Sequence, residues 1–206
     1  MTRASTRIQF AFVRKLPQQA RSRQMVERIL TAARAVLVRD GYQAFSTNRV
    51  ALEAGVSPGS LYQYFPDKTS LVDTVIDRWS AEISDRVAAS LYRDGLETSA
   101  TTRSTAEALL TALEADAPLL RVVWEELPAA RHRDQQHALE QRVRELLHVY
   151  LVASGITAPE HRATAWVLVM AIENIAVRWV LDRPDIDREA LLQELTGLAS
   201  RRITAS

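Results

Sequence analysis

Apolar residues recur along this chain at intervals of three and four, and almost nowhere at intervals of two. Val26, Ile29, Leu30, Ala33, Val36 and Leu37 fall on one stripe of a helix that starts near Arg23, as 3.6 residues per turn requires. Gly41 stops this helix as its C-cap residue, since glycine enters the left-handed region without a Cβ clash. Ser46 or Thr47 offers an N-cap oxygen to a short helix, "NRVALEA", whose Val50, Ala51 and Ala54 face inward and which Gly55 ends. Ser57 then precedes Pro58, a capping serine with proline at the first helical position. This helix is predicted to run to Phe65, where Pro66 closes it. Asp67 caps a long fourth helix in which Leu71, Val75, Trp79 and Ile83 repeat every four residues, with Val87 and Leu91 continuing the row to about Arg93.

Past Gly95 the polar run "ETSATTRST" is predicted to be a loop. Leu109, Leu110 and Leu113 mark the next helix, Pro118 restarts a shorter one through Leu127, and Leu139, Val143, Leu146, Leu147 and Tyr150 mark another. The capping box Thr157-Ala-Pro-Glu160 opens the most apolar segment, "AWVLVMAIENIAVRWVL" (165–181), and Leu191, Leu192, Leu195 and Leu198 form the last stripe. No stretch alternates with period two and no repeat of 20 to 50 residues occurs. The predicted fold class is all-α, with about nine helices. An N-terminal three-helix helix-turn-helix domain (21–81, motif 46–65) follows an arm over 1–20, and a larger helical domain fills 82–206.

Composition narrows the function classes. With 47% apolar and 25% charged residues the chain can bury a core and reads as a soluble globular protein. It has no cysteine, which removes disulfides, thiolate nucleophiles and sulfur-ligated zinc and favours the cytoplasm. The segment 165–181 carries Glu173, Asn174 and Arg178 and is too short and too polar for a membrane span. A net charge of +1 conceals an asymmetry: residues 1–70 hold eleven Lys or Arg against four Asp or Glu, whereas 71–206 hold fifteen against twenty-one. That balance points to an N-terminal module for a polyanion on a differently employed body.

The stretch "GVSPGSLYQYF" (55–65) admits two readings. Gly55-x-Ser57-x-Gly59 matches the nucleophile elbow of hydrolases, but an elbow needs a strand to deliver the serine, and "TNRVALEA" before it has helical spacing. A helix, a glycine-containing turn and a second short helix instead make a helix-turn-helix, whose second helix enters the major groove. Leu61 and Phe65, four apart, anchor that helix. Ser60 and Gln63 face outward, where a glutamine amide can read an adenine edge through two bonds. Gly59 lets the backbone approach DNA, and Tyr62 and Tyr64 can offer hydroxyls to phosphates, which fix register without reading sequence.

The run "RILTAARAVLVRDGYQAFSTNRVALEAGVSPGSLYQYFPDKTSLVDTV", with its G-Y-x-x-F-S/T step, its A-x-x-A-G-V-S turn and L-Y-x-Y-F followed by Lys68, resembles the DNA-binding domain of the TetR family of bacterial transcriptional regulators. The resemblance covers residues 23 to about 80. It implies that Thr47, Tyr64 and Lys68 bind phosphate, and that Asn48, Arg49, Ser57, Gly59, Ser60, Tyr62 and Gln63 lie at or near the groove. It further implies a homodimer that binds a palindromic double-stranded DNA operator and is released by a small-molecule effector.

The body beyond that run carries no comparable motif. Trp79, Trp124, Tyr150, Trp166 and Met170 are large side chains on helices expected to surround one interior, which makes them candidates for an apolar ligand pocket. Glu173 and Asn174 interrupt the most apolar helix, and buried polar groups need partners. They either orient a ligand or bond across a dimer interface, and the interface is preferred because the last two helices have more apolar surface than one subunit can cover. No cofactor, metal or membrane is expected, and no catalytic residue: His132, His137, His148 and His161 lack ligand spacing. The expected function is a repressor released by a small apolar or amphipathic ligand; the alternatives are a regulator controlled by a protein partner or constitutive, and a helical enzyme.

Overall fold

The computed structural model describes residues 20–93, 98–127 and 161–204, and among them it contains eight α-helices, one π-helical turn and no strand. In chain order these are α1 (Ala20–Ala44), α2 (Thr47–Ala54), α3 (Pro58–Tyr62), α4 (Lys68–Arg93), α5 (Thr98–Ala115), α6 (Ala117–Arg121), the π turn (Val122–Glu126), α7 (His161–Asp182) and α8 (Arg188–Thr204). The all-α expectation holds among the described residues. The arm over 1–19, the helix expected around Leu139–Tyr150 and the Thr157–Glu160 capping box lie outside them, as do His132, His137 and His148.

The chain divides into two compact units. The first comprises Met1–Ser80 and Arg121–Gln135, the second Ala81–Leu120 and Gln136–Ser206. Whereas the sequence assigns everything beyond residue 81 to the second domain, the chain returns to the first unit at Arg121. Within that unit α1 packs on α2 and on the π turn, and α2 packs on α3. Val26, Ile29, Val36, Leu37, Val50, Leu61, Phe65 and Leu71 have no exposed surface. They are the residues that the three-and-four spacing selects.

Local signals set the helix ends. Ser46 Oγ accepts from Arg49 N–H at 3.3 Å and Ser57 Oγ accepts from Ser60 N–H at 3.1 Å, the N-cap bonds that satisfy otherwise orphaned donors. Gly55 adopts φ 62°, ψ 40°, the left-handed C-cap geometry. Gly41 does not: at φ 74°, ψ 170° it is extended with positive φ, a region essentially restricted to glycine. It breaks α1 by turning the chain rather than by a left-handed cap. The predicted end of α3 also shifts, because the helix stops at Tyr62 and Leu61 C=O accepts from both Tyr64 and Phe65 N–H at 3.0 Å. Pro66 holds Phe65 out of the helical region.

In the second unit α5 packs on α8 and α7, and α7 on α8. The expected loop over "ETSATTRST" is corrected here, since α5 already begins at Thr98. Tertiary contacts override the weak helix propensity of Thr and Ser: Ser90 Oγ donates to Thr105 Oγ1 at 3.3 Å, and Arg103 Nη2 donates to both Glu189 carboxylate oxygens at 2.9 and 2.7 Å. Ala106, Leu110, Leu113, Leu168, Val177, Leu192 and Leu195 are buried. Along α7 the pattern is two-sided. Glu173, Ala176 and Val177 are buried, whereas Trp166, Val167 and Ile175 are 48%, 54% and 40% exposed. Among the described residues no helix is long and apolar enough to cross a membrane.

Phe65 is fully buried, so Phe65→Ala should lower the unfolding free energy by about 3–5 kcal/mol, read from urea denaturation followed by circular dichroism. A loss under 1 kcal/mol would count against this packing.

Candidate nucleic-acid interface

α2, the turn through Gly55 to Ser57, and α3 form the helix-turn-helix. The turn is fixed in three ways. Gly55 N–H and Val56 N–H donate to the carbonyls of Leu52 and Ala51 at 3.1 and 2.9 Å, and Ser57 caps α3. From α1, Arg28 Nη2 donates to Ala54 C=O at 2.6 Å, so a guanidinium sits on the carbonyl end of α2, where the helix dipole favours a cation. Ser57 is therefore spent on capping, and the segment that delivers it is a helix. Both conditions for a nucleophile elbow are missing at this serine.

Leu61 and Phe65 are buried while Gly59, Tyr62 and Gln63 are exposed and Ser60 is half-buried. Of the rest of the sequence-predicted set, Asn48, Arg49 and Ser57 are exposed and Thr47, Tyr64 and Lys68 are half-buried. Thr47 Oγ1 and Tyr62 Oη are hydrogen-bonded at 2.9 Å, which joins the start of α2 to the end of α3 through two hydroxyls. Tyr64 Oη is bonded to Ser22 Oγ at 3.1 Å, tying the end of the motif to the first turn of α1. Each hydroxyl keeps further hydrogen-bonding capacity beyond the bond it makes. Asn48 is exposed and takes part in none of these bonds.

Three basic residues are held rather than loose. Arg49 Nη1 pairs with Asp40 at 2.9 Å, Arg39 pairs with Asp40 at 2.9 Å and with Glu53 at 2.8 Å. Through these links the exposed end of α1 is laced to α2. Hydrogen bonds from Arg39, then from Arg49, hold the Asp40 carboxyl below its ordinary value of 3.8. Lys68 Nζ donates to Tyr42 C=O at 2.6 Å and lies 4.2 Å from the centre of the Tyr42 ring, and burial pushes its pKa below the ordinary 10.5.

The residues assigned to a ligand pocket fall in both units. Trp79 is buried and Trp124 half-buried in the first unit, whereas Trp166, Met170, Glu173 and Asn174 belong to the second; Tyr150 lies outside the described residues. Trp166 and Asn174 are exposed, and Asn174 Nδ2 donates to Met170 C=O at 3.0 Å, a bond local to its own helix. Asn174 also borders an open apolar groove of about 340 Å³ with Ile175, Trp179, Ile186 and Leu191. Glu173, by contrast, is buried. The spacing argument treated the two as a pair, although adjacent helical residues point about 100° apart.

Arg28, Ser22, Asp40 and Tyr42 are the residues that sequence reasoning missed. They bond to partners 26, 42, 9 and 26 positions away, beyond any helical period, and Asp40 also to its neighbour Arg39. Because Asp40 is depressed, the stability it contributes is present above its unfolded value and lost as pH falls through the folded one. Asp40 should titrate below 3.8 by carboxyl carbon NMR and move up toward that value in Arg39→Met. An unchanged titration would remove the network.

Residues 29–75 match the family model described as bacterial regulatory proteins, tetR family. The chain is 38% identical over 71 residues to the nucleoid occlusion factor SlmA of Actinobacillus pleuropneumoniae, covering 34% of this chain and 33% of that one, so it spans about a third of that relative's length. It is 30% identical over 134 residues to the HTH-type transcriptional regulator YvkB of Bacillus subtilis, covering 63% of this chain and 67% of that one. In structure it resembles the transcriptional regulator FadR from Bacillus subtilis, solved in complex with stearoyl-CoA, with a TM-score of 0.63 at 15% identity over 87% of this chain and 98% of that one. The helix-turn-helix geometry, the family match over it and the likeness to YvkB along most of the chain agree: the chain belongs to the tetR family of bacterial regulatory proteins.

Proposed function

We propose that this chain is a cytoplasmic DNA-binding transcriptional regulator, a repressor that a small apolar or amphipathic ligand releases from a palindromic operator. The observation that carries the reading is α3 with the turn that follows it, in which Leu61 and Phe65 are fully buried and Gly59, Tyr62 and Gln63 are outward. A helix so seated enters a major groove with its outward residues on base edges. Gln63 and Ser60 read bases; Gly59 gives the backbone its approach; Asn48, Arg49 and Ser57 flank the groove. Thr47, Tyr62, Tyr64 and Lys68 take phosphate, each already oriented by a bond of its own. The excess of basic residues in 1–70 supplies the sequence-independent share of affinity.

A palindrome needs two copies. Trp166, Val167 and Ile175 leave an apolar face exposed on α7, and Ile186, 50% exposed, adjoins it beside the groove. We assign this face to the homodimer contact, with Asn174 at its edge. Two α3 helices must then lie about 34–36 Å apart, one turn of duplex. The ligand reading rests on the acyl-CoA held by the FadR neighbour and on Trp79, whose buried indole N–H has no hydrogen-bond partner among the described residues. Such a donor calls for an acceptor. Trp79, on α4, is the residue assigned to that ligand, and a tilt of α4 would carry its effect to the spacing of the recognition helices. Control by a protein partner is the second reading, favoured by the likeness over 71 residues to SlmA, a nucleoid occlusion factor. A small molecule that raises the melting temperature decides against it.

Selection of bound duplexes from a random pool tests the function directly, and a palindromic consensus is the expected outcome. With about four phosphate contacts per subunit, about eight in a dimer, affinity for that sequence should fall about ten-thousandfold between 50 and 200 mM salt. Gln63→Ala should cost about 1–3 kcal/mol at one base position of each half-site and relax preference there. No enrichment at low salt would end the reading. For the dimer, Ile175→Asp should yield monomers in sedimentation analysis, whereas an unaltered dimer would place the contact elsewhere.

A further inference from the structure

The break after α1 is held from a distant part of the chain. At Gly41 the backbone leaves the helix, and Tyr42 N–H donates not to a helical carbonyl but to Glu126 Oε2 at 2.7 Å, across 84 positions of sequence. The opposite end of the same residue, Tyr42 C=O, accepts from Lys68 Nζ at 2.6 Å. One residue thus carries a carboxylate on its donor and an ammonium on its acceptor. Gly41 is shaped to the carboxylate as well as to the turn, since a Cβ there would come within 2.6 Å of Glu126 Oε2.

Glu126 is the last residue of the π turn, a form that is rare and concentrated at functional positions. Val122, Val123 and Leu127 are buried around it, so its backbone is anchored and its carboxylate is aimed. The chain reaches this turn from α5 through α6, and it crosses from the second unit into the first at Arg121.

We infer that Glu126 is a positioning residue for DNA binding: by fixing Tyr42 it holds the carbonyl that aims Lys68 at a phosphate. The inference rests on the regulator reading above. An ammonium has three donors, so Lys68 keeps the Tyr42 bond and takes a phosphate oxygen with another. Without Glu126 the Tyr42 N–H loses its anchor, Tyr42 is free to change its φ and ψ, its carbonyl in the following peptide unit shifts, and Lys68 loses its fixed direction. Movement of the segment that carries Glu126 then changes the number of phosphates the protein neutralises, and not merely how far apart its two recognition helices lie.

The test combines exchange and salt dependence on the full-length protein. In the unsubstituted protein the Tyr42 amide should exchange with solvent as slowly as amides inside α1, and rapid exchange there would overturn the clasp without any variant or any DNA. Glu126→Ala should expose that amide. It should also flatten the plot of log affinity against log salt by about two, one phosphate per subunit. Lys68→Ala should flatten it equally, and the double variant no further. Glu126→Gln, whose amide oxygen still accepts from Tyr42, should restore both amide protection and slope. A Glu126→Ala protein that keeps the full slope, or a double variant that loses the sum of both effects, would overturn the inference. Absence of duplex binding in the unsubstituted protein overturns instead the reading beneath it, while the Tyr42 amide still reports whether the clasp forms.

Discussion

A helix of five residues cannot hold itself in water, because nucleation costs more than one turn of hydrogen bonds returns. α3 exists because Leu61 and Phe65 are removed entirely from solvent. At about 25 cal/mol per Å² of apolar surface, two such side chains supply several kcal/mol, more than the short helix needs. The same burial decides orientation: with positions 61 and 65 turned in, positions 59, 62 and 63 have nowhere to face but out. Every claim about recognition descends from that pair.

Polar contacts then refine what burial has placed. Arg28 closes the end of α2, Ser57 opens α3, and the Thr47–Tyr62 and Ser22–Tyr64 hydroxyl pairs brace the two ends of the motif. Each such bond is worth about 1 kcal/mol net, so none could hold the motif alone. Their value lies in direction. A side chain already held by one bond gives up less freedom on meeting a phosphate than a loose one would. The Asp40–Arg39–Glu53 lacing works differently, because Arg39 and Glu53 are exposed and screened. It aligns α1 with α2 more than it stabilises them.

How much of this was legible follows from the range over which each signal acts. Caps, breaks and stripes act within four or five residues, and so Ser46, Gly55, Ser57 and the core from Val26 to Phe65 could be read directly. Residues 98–105 were misread for the same reason: Thr and Ser look like loop until Glu189, 86 positions away from Arg103, joins the helix to α8. Lys68 is named by the family resemblance, yet its bond to Tyr42 is not foreseen because nothing local pairs positions 42 and 68. The two-sidedness of α7 was likewise hidden. A helix that is apolar all round has no periodicity to announce which face meets its own core and which meets a partner.

The size of the energies involved bears on how such a protein can be switched. Coupling between an effector site and a DNA site is typically 1–3 kcal/mol, while a hydrogen bond contributes about 1 kcal/mol net. One or two bonds are therefore enough, provided they form in one state and not in the other. A long helix such as α4 can tilt, but a tilt spreads its cost over many packed side chains such as Leu71, Val75, Ile76 and Trp79, all buried. A single carboxylate at the end of a π turn concentrates the difference in one bond, and half-buried rather than sealed, it can be withdrawn without opening a core. Where the chain passes between its units more than once, the second passage can act through a contact while the first acts through rigidity, and the two need not move together.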